Sequence, residues 1–237
     1  MQELDLNVKF LLGKTVNIGK LQLTPLTLNE IDEVGFDNYN KYLSILCIDS
    51  DSIKEMLNLE DNSNIEPFEY LYWNCKQNDD TKELILNTLN LFLKEQVYFY
   101  NQGFFAIGDI SEGRLLTYEN YNYFIDILRQ QNCVEKPKTI KPENDKQKDF
   151  FQQLKKMKEK YSRHEQKQDI SDIISSVCSK HPSINLFNVG NLTIYQLIDQ
   201  FKRLNMIDEY FLNVESLLHG ADSKDIKLVH WSLKNNN

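Results

Sequence analysis

The spacing of apolar positions changes several times along this chain of 237 residues. Two short apolar runs, Val8–Leu12 (VKFLL) and Thr15–Pro25 (TVNIGKLQLTP), flank Gly13-Lys14. Both are read as strands, with Val16, Ile18, Leu21 and Leu23 as the inward positions of a two-residue period. From Thr27 the period becomes helical. Thr27 with Glu30 three residues later has the form of a capping box, and Ile31, Val34, Tyr42, Ile45 and Leu46 follow at helical intervals. Gly35 lies inside this stretch and leaves open one helix or two.

The middle of the chain repeats this alternation. DSDSIKEMLNL reads as a short helix with acids in its first turn, where the helix dipole favours them. Pro67 suits the first turn of the helix in NIEPFEYLYWNC. DDTKELILNTLNLFLKE is amphipathic, with Leu84, Leu86, Leu89, Leu91 and Leu93 on a broad apolar arc. QVYFYNQGFFAIG predicts a hairpin turning at Asn101-Gln102-Gly103. A further helix starts from Thr117 and carries Tyr121, Phe124, Ile125 and Leu128 on one side.

Pro137 and Pro142 then interrupt any regular element. Beyond them the pattern is helical throughout. DKQKDFFQQLKKMKEKYSRH sets Phe150, Phe151, Leu154, Met157 and Tyr161 against a lysine-rich face. DISDIISSVCSK, LTIYQLIDQFKRLN and MIDEYFLNVESLLHG follow as three more helices, the last ending at Gly220. The predicted fold class is α+β and predominantly α-helical: N-terminal strands, a central hairpin packed with helices, and an all-helical C-terminal part. The predicted organisation is a mixed N-terminal domain over 1–134, a Pro/Lys linker over 135–143 and a helical C-terminal domain over 144–237.

Charge narrows the range of functions. The net charge of −8 disfavours a protein that wraps nucleic acid. It is unevenly spread: Asp49–Glu83 carries ten acids against three lysines, and Glu135–Lys167 carries eleven Lys/Arg against six acids. The lysine-rich stretch is read as a solvated helix face or a contact for an acidic protein, because its aromatics fall on the opposite stripe. No stretch approaches the length of a membrane span, and the N-terminus lacks the form of a secretory signal, so a soluble, cytoplasmic protein is expected, without nucleic-acid or membrane partners.

Chemistry-bearing motifs are few. Cys47, Cys75, Cys133 and Cys178 are too scattered for a zinc or redox motif and are read as free thiols. His164, His181, His219 and His230 show no metal-ligand spacing, and each is assigned a structural or solvated role. Asp49–Ser52 (DSDS) and Asp61–Asn64 (DNSN) lack the glycine and terminal glutamate of a calcium loop and are read as capping chemistry. With no phosphate loop and no nucleophile elbow either, the expectation is a non-enzymatic protein without cofactor or metal. The aromatic stretches YLYWNC, QVYFYNQGFF and YENYNYF fit an aromatic core, or else a docking groove.

Three stretches carry a resemblance: LTPLTLNEIDEVGFDNYNKYLSILCI, SINLFNVGNLTIYQLIDQFKRL, and the glycine-then-His-Trp ending GADSKDIKLVHW. They resemble the tail assembly chaperones and tail-morphogenesis proteins of tailed phages and prophages of low-GC Gram-positive bacteria. The resemblance covers about a quarter of the chain, at its two ends, and rests on apolar and aromatic residues. It implies a non-enzymatic helper that binds the tape-measure protein or another tail protein during tail assembly. The candidate partner-binding residues are Tyr195, Phe201, Arg203, Tyr210 and Trp231. Two other roles stay open: a phage-encoded modulator of a host defence enzyme, and a structural tail or connector component. Trp231, so near the end, is expected to pin the tail to the C-terminal helices together with Leu228.

Overall fold

The computed structural model describes residues 3–57, 65–135, 168–224, 226 and 228–233. The protein is α+β and predominantly helical, with two small antiparallel sheets. Its chain forms two compact units, Met1–Val134 with Phe187–Asp199, and Glu135–Leu186 with Gln200–Asn237. The Pro/Lys stretch, the DNSN loop and the lysine-rich helix expected over 145–164 lie outside the described residues.

The first unit opens with a helix, α1 (Glu3–Leu11), where VKFLL had suggested a strand. The reason is visible in the burial: Leu6 and Phe10, four residues apart, are the positions turned inward, whereas Val8 and Leu11 stay exposed. The second apolar run, read as a single strand, is instead a hairpin, β1 (Val16–Ile18) with β2 (Leu21–Leu23), in the register Val16↔Leu23 and Ile18↔Leu21. Its four inward side chains are all buried. Gly19, at φ +60°, allows the two-residue turn that this register requires.

Helix α2 (Leu28–Val34) starts at the expected capping box: the Glu30 backbone N–H donates to Thr27 Oγ1 at 3.3 Å, and the Thr27 N–H donates to Glu30 Oε2 at 2.7 Å. Gly35, at φ +86°, ends it and separates α3 (Phe36–Leu46), so there are two helices. In α3 the inward positions are Tyr39, Leu43 and Leu46 rather than Tyr42 and Ile45, because the break resets the helical phase. Next come α4 (Ser50–Leu57), α5 (Pro67–Gln77) and α6 (Asp79–Leu93). The buried seam of α6 is Ile85, Thr88, Leu89, Phe92 and Leu93, and Leu84, Leu86 and Leu91 at its margins are only half-buried.

The central hairpin is β3 (Val97–Tyr100) and β4 (Phe104–Ile107), and a strand not foreseen, β5 (Leu115–Thr117), joins β4 on its other side. Thr117 and Asn120 then cap α7 (Tyr118–Gln131), which buries Tyr121, Phe124, Ile125 and Leu128 as predicted. Phe68, Tyr72, Phe99, Phe105 and Tyr121 form a continuous aromatic core, with neighbouring ring centroids 5.0–6.1 Å apart. Polar groups of α7 close the end of α3. Tyr121 Oη donates to the Leu46 carbonyl at 3.0 Å, and the buried Arg129 guanidinium donates to the carbonyl of Cys47. A cation at the carbonyl end of a helix satisfies groups the helix cannot pair internally.

Residues 187–199 complete this unit. Thr27 and Thr193 form an antiparallel bridge, and the Leu28 N–H donates to the Leu192 carbonyl at 2.8 Å. Val189, Ile194 and Leu197 are buried there, and the Tyr195 ring lies 5.3 Å from that of Phe10. The second unit contributes α8 (Ile170–Lys180), capped by Asp169, to the remainder of the chain. The two helices expected over 192–220 are one, α9 (Ile194–Leu218), of 25 residues. No glycine or proline lies between Ile194 and Leu218, so nothing in the backbone forces a break near Asn205. Gly220, at φ +91°, follows its end.

Candidate functional site

Two surfaces combine apolar exposure with placed polar groups. The first is on the second unit, where α9 runs from Gln200 to Leu218. Over this span helical spacing lets one stripe turn inward, and Leu204 is its buried member. Phe201, Arg203, Met206, Ile207 and Tyr210 are half-buried. Tyr210, Phe211 and Leu212 are consecutive, and successive helical positions turn by about 100°, so one packed face cannot cover all three. Phe211 and Leu212 are accordingly 60% and 62% exposed. Leu218, seven residues beyond Phe211 and so on the same stripe, is 81% exposed. Lys180 of α8 pairs with Asp208 of α9.

The tail is held to α9 by its backbone and one ring. Arg203 Nη1 donates to the carbonyl of Trp231 at 2.5 Å and to that of Leu233 at 3.0 Å. His230 meets Tyr210 edge-on at 5.1 Å and stacks on Trp231 at 5.3 Å. The Ser232 N–H points at His230 Nδ1 from 3.2 Å and the Ser232 hydroxyl from 2.7 Å, which makes Nδ1 the acceptor. Trp231 is half-buried, and Leu228 is 47% exposed, so Leu228 is not the apolar pin that was expected. The anchor is a charged group on main-chain carbonyls instead.

Of the five candidate residues, Arg203, Tyr210 and Trp231 come together. Tyr195 packs on Phe10 in the first unit, and Phe201 is half-buried in α9. The sequence reading missed the exposed Phe211–Leu218 stripe and the linking role of His230. The consecutive Tyr-Phe-Leu triplet was the signal for the stripe, because a helix packed on one side cannot bury all three.

The second surface is a groove of about 540 Å³ in the first unit, between α5, α6 and β3. Cys75, Leu86, Val97 and Phe99 supply its apolar lining; Lys76, Lys82, Gln96 and Asn101 supply polar groups. Lys82 pairs with Asp79, and Lys76 Nζ sits 5.3 Å from the centre of the Tyr72 ring. Burial pushes the Cys75 thiol up to about 12, against the opposing pull of the Lys82 charge, so it is protonated at neutral pH.

The described residues include no group of three or more His, Cys, Asp or Glu side chains placed to hold a metal ion. None of their helices is long and apolar enough to cross a membrane. Among the described residues the protein is predominantly helical and carries two partly apolar surfaces. Residues 155–236, about a third of the chain, match the family model described as the YomV second domain. That family is phage-derived, and the match takes in α8, α9 and the tail. No curated protein and no solved structure matches the chain.

Proposed function

We propose that this protein is a non-enzymatic helper of phage tail assembly, and that its second unit holds an apolar helical segment of the tape-measure protein before the tail tube encloses it. The observation that carries this reading is the exposed Phe211–Leu218 stripe, which lies within the stretch matching a phage-derived domain. A long tape-measure helix has apolar stripes to cover until the tube surrounds it, and an apolar helix face can cover them. The acidic exterior keeps such a complex dispersed. The resemblance of the chain's two ends to tail assembly chaperones points the same way.

The test is co-expression with fragments of a phage tape-measure protein, followed by affinity purification. A stoichiometric complex is expected, and it should be lost in a Phe211→Glu, Leu218→Glu double variant that keeps the wild-type circular dichroism. Finished particles should lack the protein. Its stoichiometric presence in purified virions would point to a structural tail component. Tight retention of one host enzyme, with no tape-measure fragment bound, would point to a modulator of host defence.

A further inference from the structure

We infer that the outer edge of β3, in the groove of the first unit, takes up an extended, carboxylate-bearing peptide segment as an added strand. The inference does not depend on the tape-measure reading, which concerns the other unit. β3 ends its sheet, with β4 on one side only. The register fixes which main-chain groups face away from β4. Gly108 N–H donates to the Gln96 carbonyl at 2.8 Å, and Tyr98 pairs with Ala106 and Tyr100 with Phe104. In an antiparallel ladder hydrogen-bonded pairs alternate along the strand, so Gln96, Tyr98 and Tyr100 bond toward β4, and Val97 and Phe99 point their N–H and C=O groups outward.

One of these outward groups is already satisfied within the fold: the Val97 N–H donates to Asn90 Oδ1 at 2.6 Å. The Val97 carbonyl and both main-chain groups of Phe99 have no partner among the described residues. They offer a donor flanked by two acceptors along the lip of the groove, the pattern an incoming strand pairs with. The lining sets the chemistry of that strand. Lys76 and Lys82 are its charged side chains and no carboxylate lines it, although the chain as a whole carries −8. Lys76 is exposed at the end of α5, and Lys82 is shared with a single, fully accessible carboxylate, that of Asp79. An extended occupant carrying both carboxylates and apolar side chains can meet the two lysines and pack on Leu86 and Phe99.

The test uses the full-length chain and a blocked hexapeptide alternating glutamate and valine, with amide shifts followed in a nitrogen-labelled sample. Saturable binding that shifts the Phe99 amide and protects it from exchange is expected. The same peptide with lysine for glutamate should bind at least about tenfold more weakly. Lys76→Glu with Lys82→Glu should reverse that preference, and Lys82→Glu alone should weaken the glutamate peptide. Methylating alternate backbone nitrogens of the peptide should abolish binding with no change to the protein. The inference is overturned if the glutamate peptide gives no saturable shift up to its solubility limit, or if the methylated peptide binds equally well. It is also overturned if sedimentation shows a second copy of the chain covering the Phe99 amide.

Discussion

Asn29 and Gly190 lie 161 positions apart and touch so closely that a Cβ on Gly190 would stand 1.9 Å from Asn29 Oδ1. Asn29 Nδ2 also reaches Asn191 Oδ1 at 3.4 Å, so the asparagine is fitted to the turn over Val189–Asn191. Gly190→Ala must push the Asn29 amide aside and give up that exposed contact, at a cost of about 0.5–1 kcal/mol. Removing the obstacle with Asn29→Ala should make the alanine at 190 nearly neutral. A double-mutant cycle by urea unfolding checks this; equal costs in both backgrounds would refute the contact.

The Arg203 anchor predicts a change at the tail with little change in fold. Arg203→Ala should free Trp231 and raise its acrylamide quenching in a Trp73→Phe background, with the thermal midpoint nearly unmoved. Trp231→Ala should likewise cost only about 1 kcal/mol, since the ring is half-buried and a fully buried aromatic would cost about 3–5 kcal/mol.

Glu30 predicts a specific acid dependence. Partial burial raises its pKa, but the Lys94 ammonium and the Thr27 N–H and hydroxyl outweigh this and leave it below the ordinary carboxylate value. A depressed folded value means the stabilisation is complete above the unfolded value and disappears as pH falls through the folded one. Unfolding free energy measured between about pH 5 and 2 should therefore fall less steeply in Glu30→Gln than in wild type. Parallel slopes would count against the capping role.

Thiol reactivity should separate Cys133 from Cys75. Cys133 is exposed and Cys75 is buried with its thiol pushed up to about 12, so a disulfide reagent at pH 8 should modify Cys133 early and Cys75 only on unfolding. Peptide mapping after timed quenching reads the order.

Much of the first unit could be read from local signals. The inward positions Val16, Ile18, Leu21 and Leu23, the Thr27–Glu30 box and the inward face of α7 each depend on residues close in sequence. What could not be read depends on distant partners. α1 and a strand are equally compatible with VKFLL until Phe10 meets Tyr195. β5 is three residues long and exists through its pairing with β4. The inward role of Arg129 follows from the carbonyl of Cys47, 82 positions away. At the candidate site, the sequence reading set Arg203 and Tyr210 in two helices that are one, and the guanidinium's hold on the Trp231 carbonyl has no sequence signature. The apolar stripe escaped notice because a face left uncovered reads as one more packed face.

The return of residues 187–199 to the first unit bears on how the protein is made. Val189, Ile194 and Leu197 fill buried positions that the first 134 residues leave incomplete. A nascent chain therefore holds its hairpins and α1–α7 without their last wall until Asp199 clears the ribosome exit tunnel, well after the point at which an N-terminal domain ordinarily closes. Release of a chain stopped at 134 should yield a protein prone to proteolysis, and adding a peptide spanning 187–199 should restore its resistance.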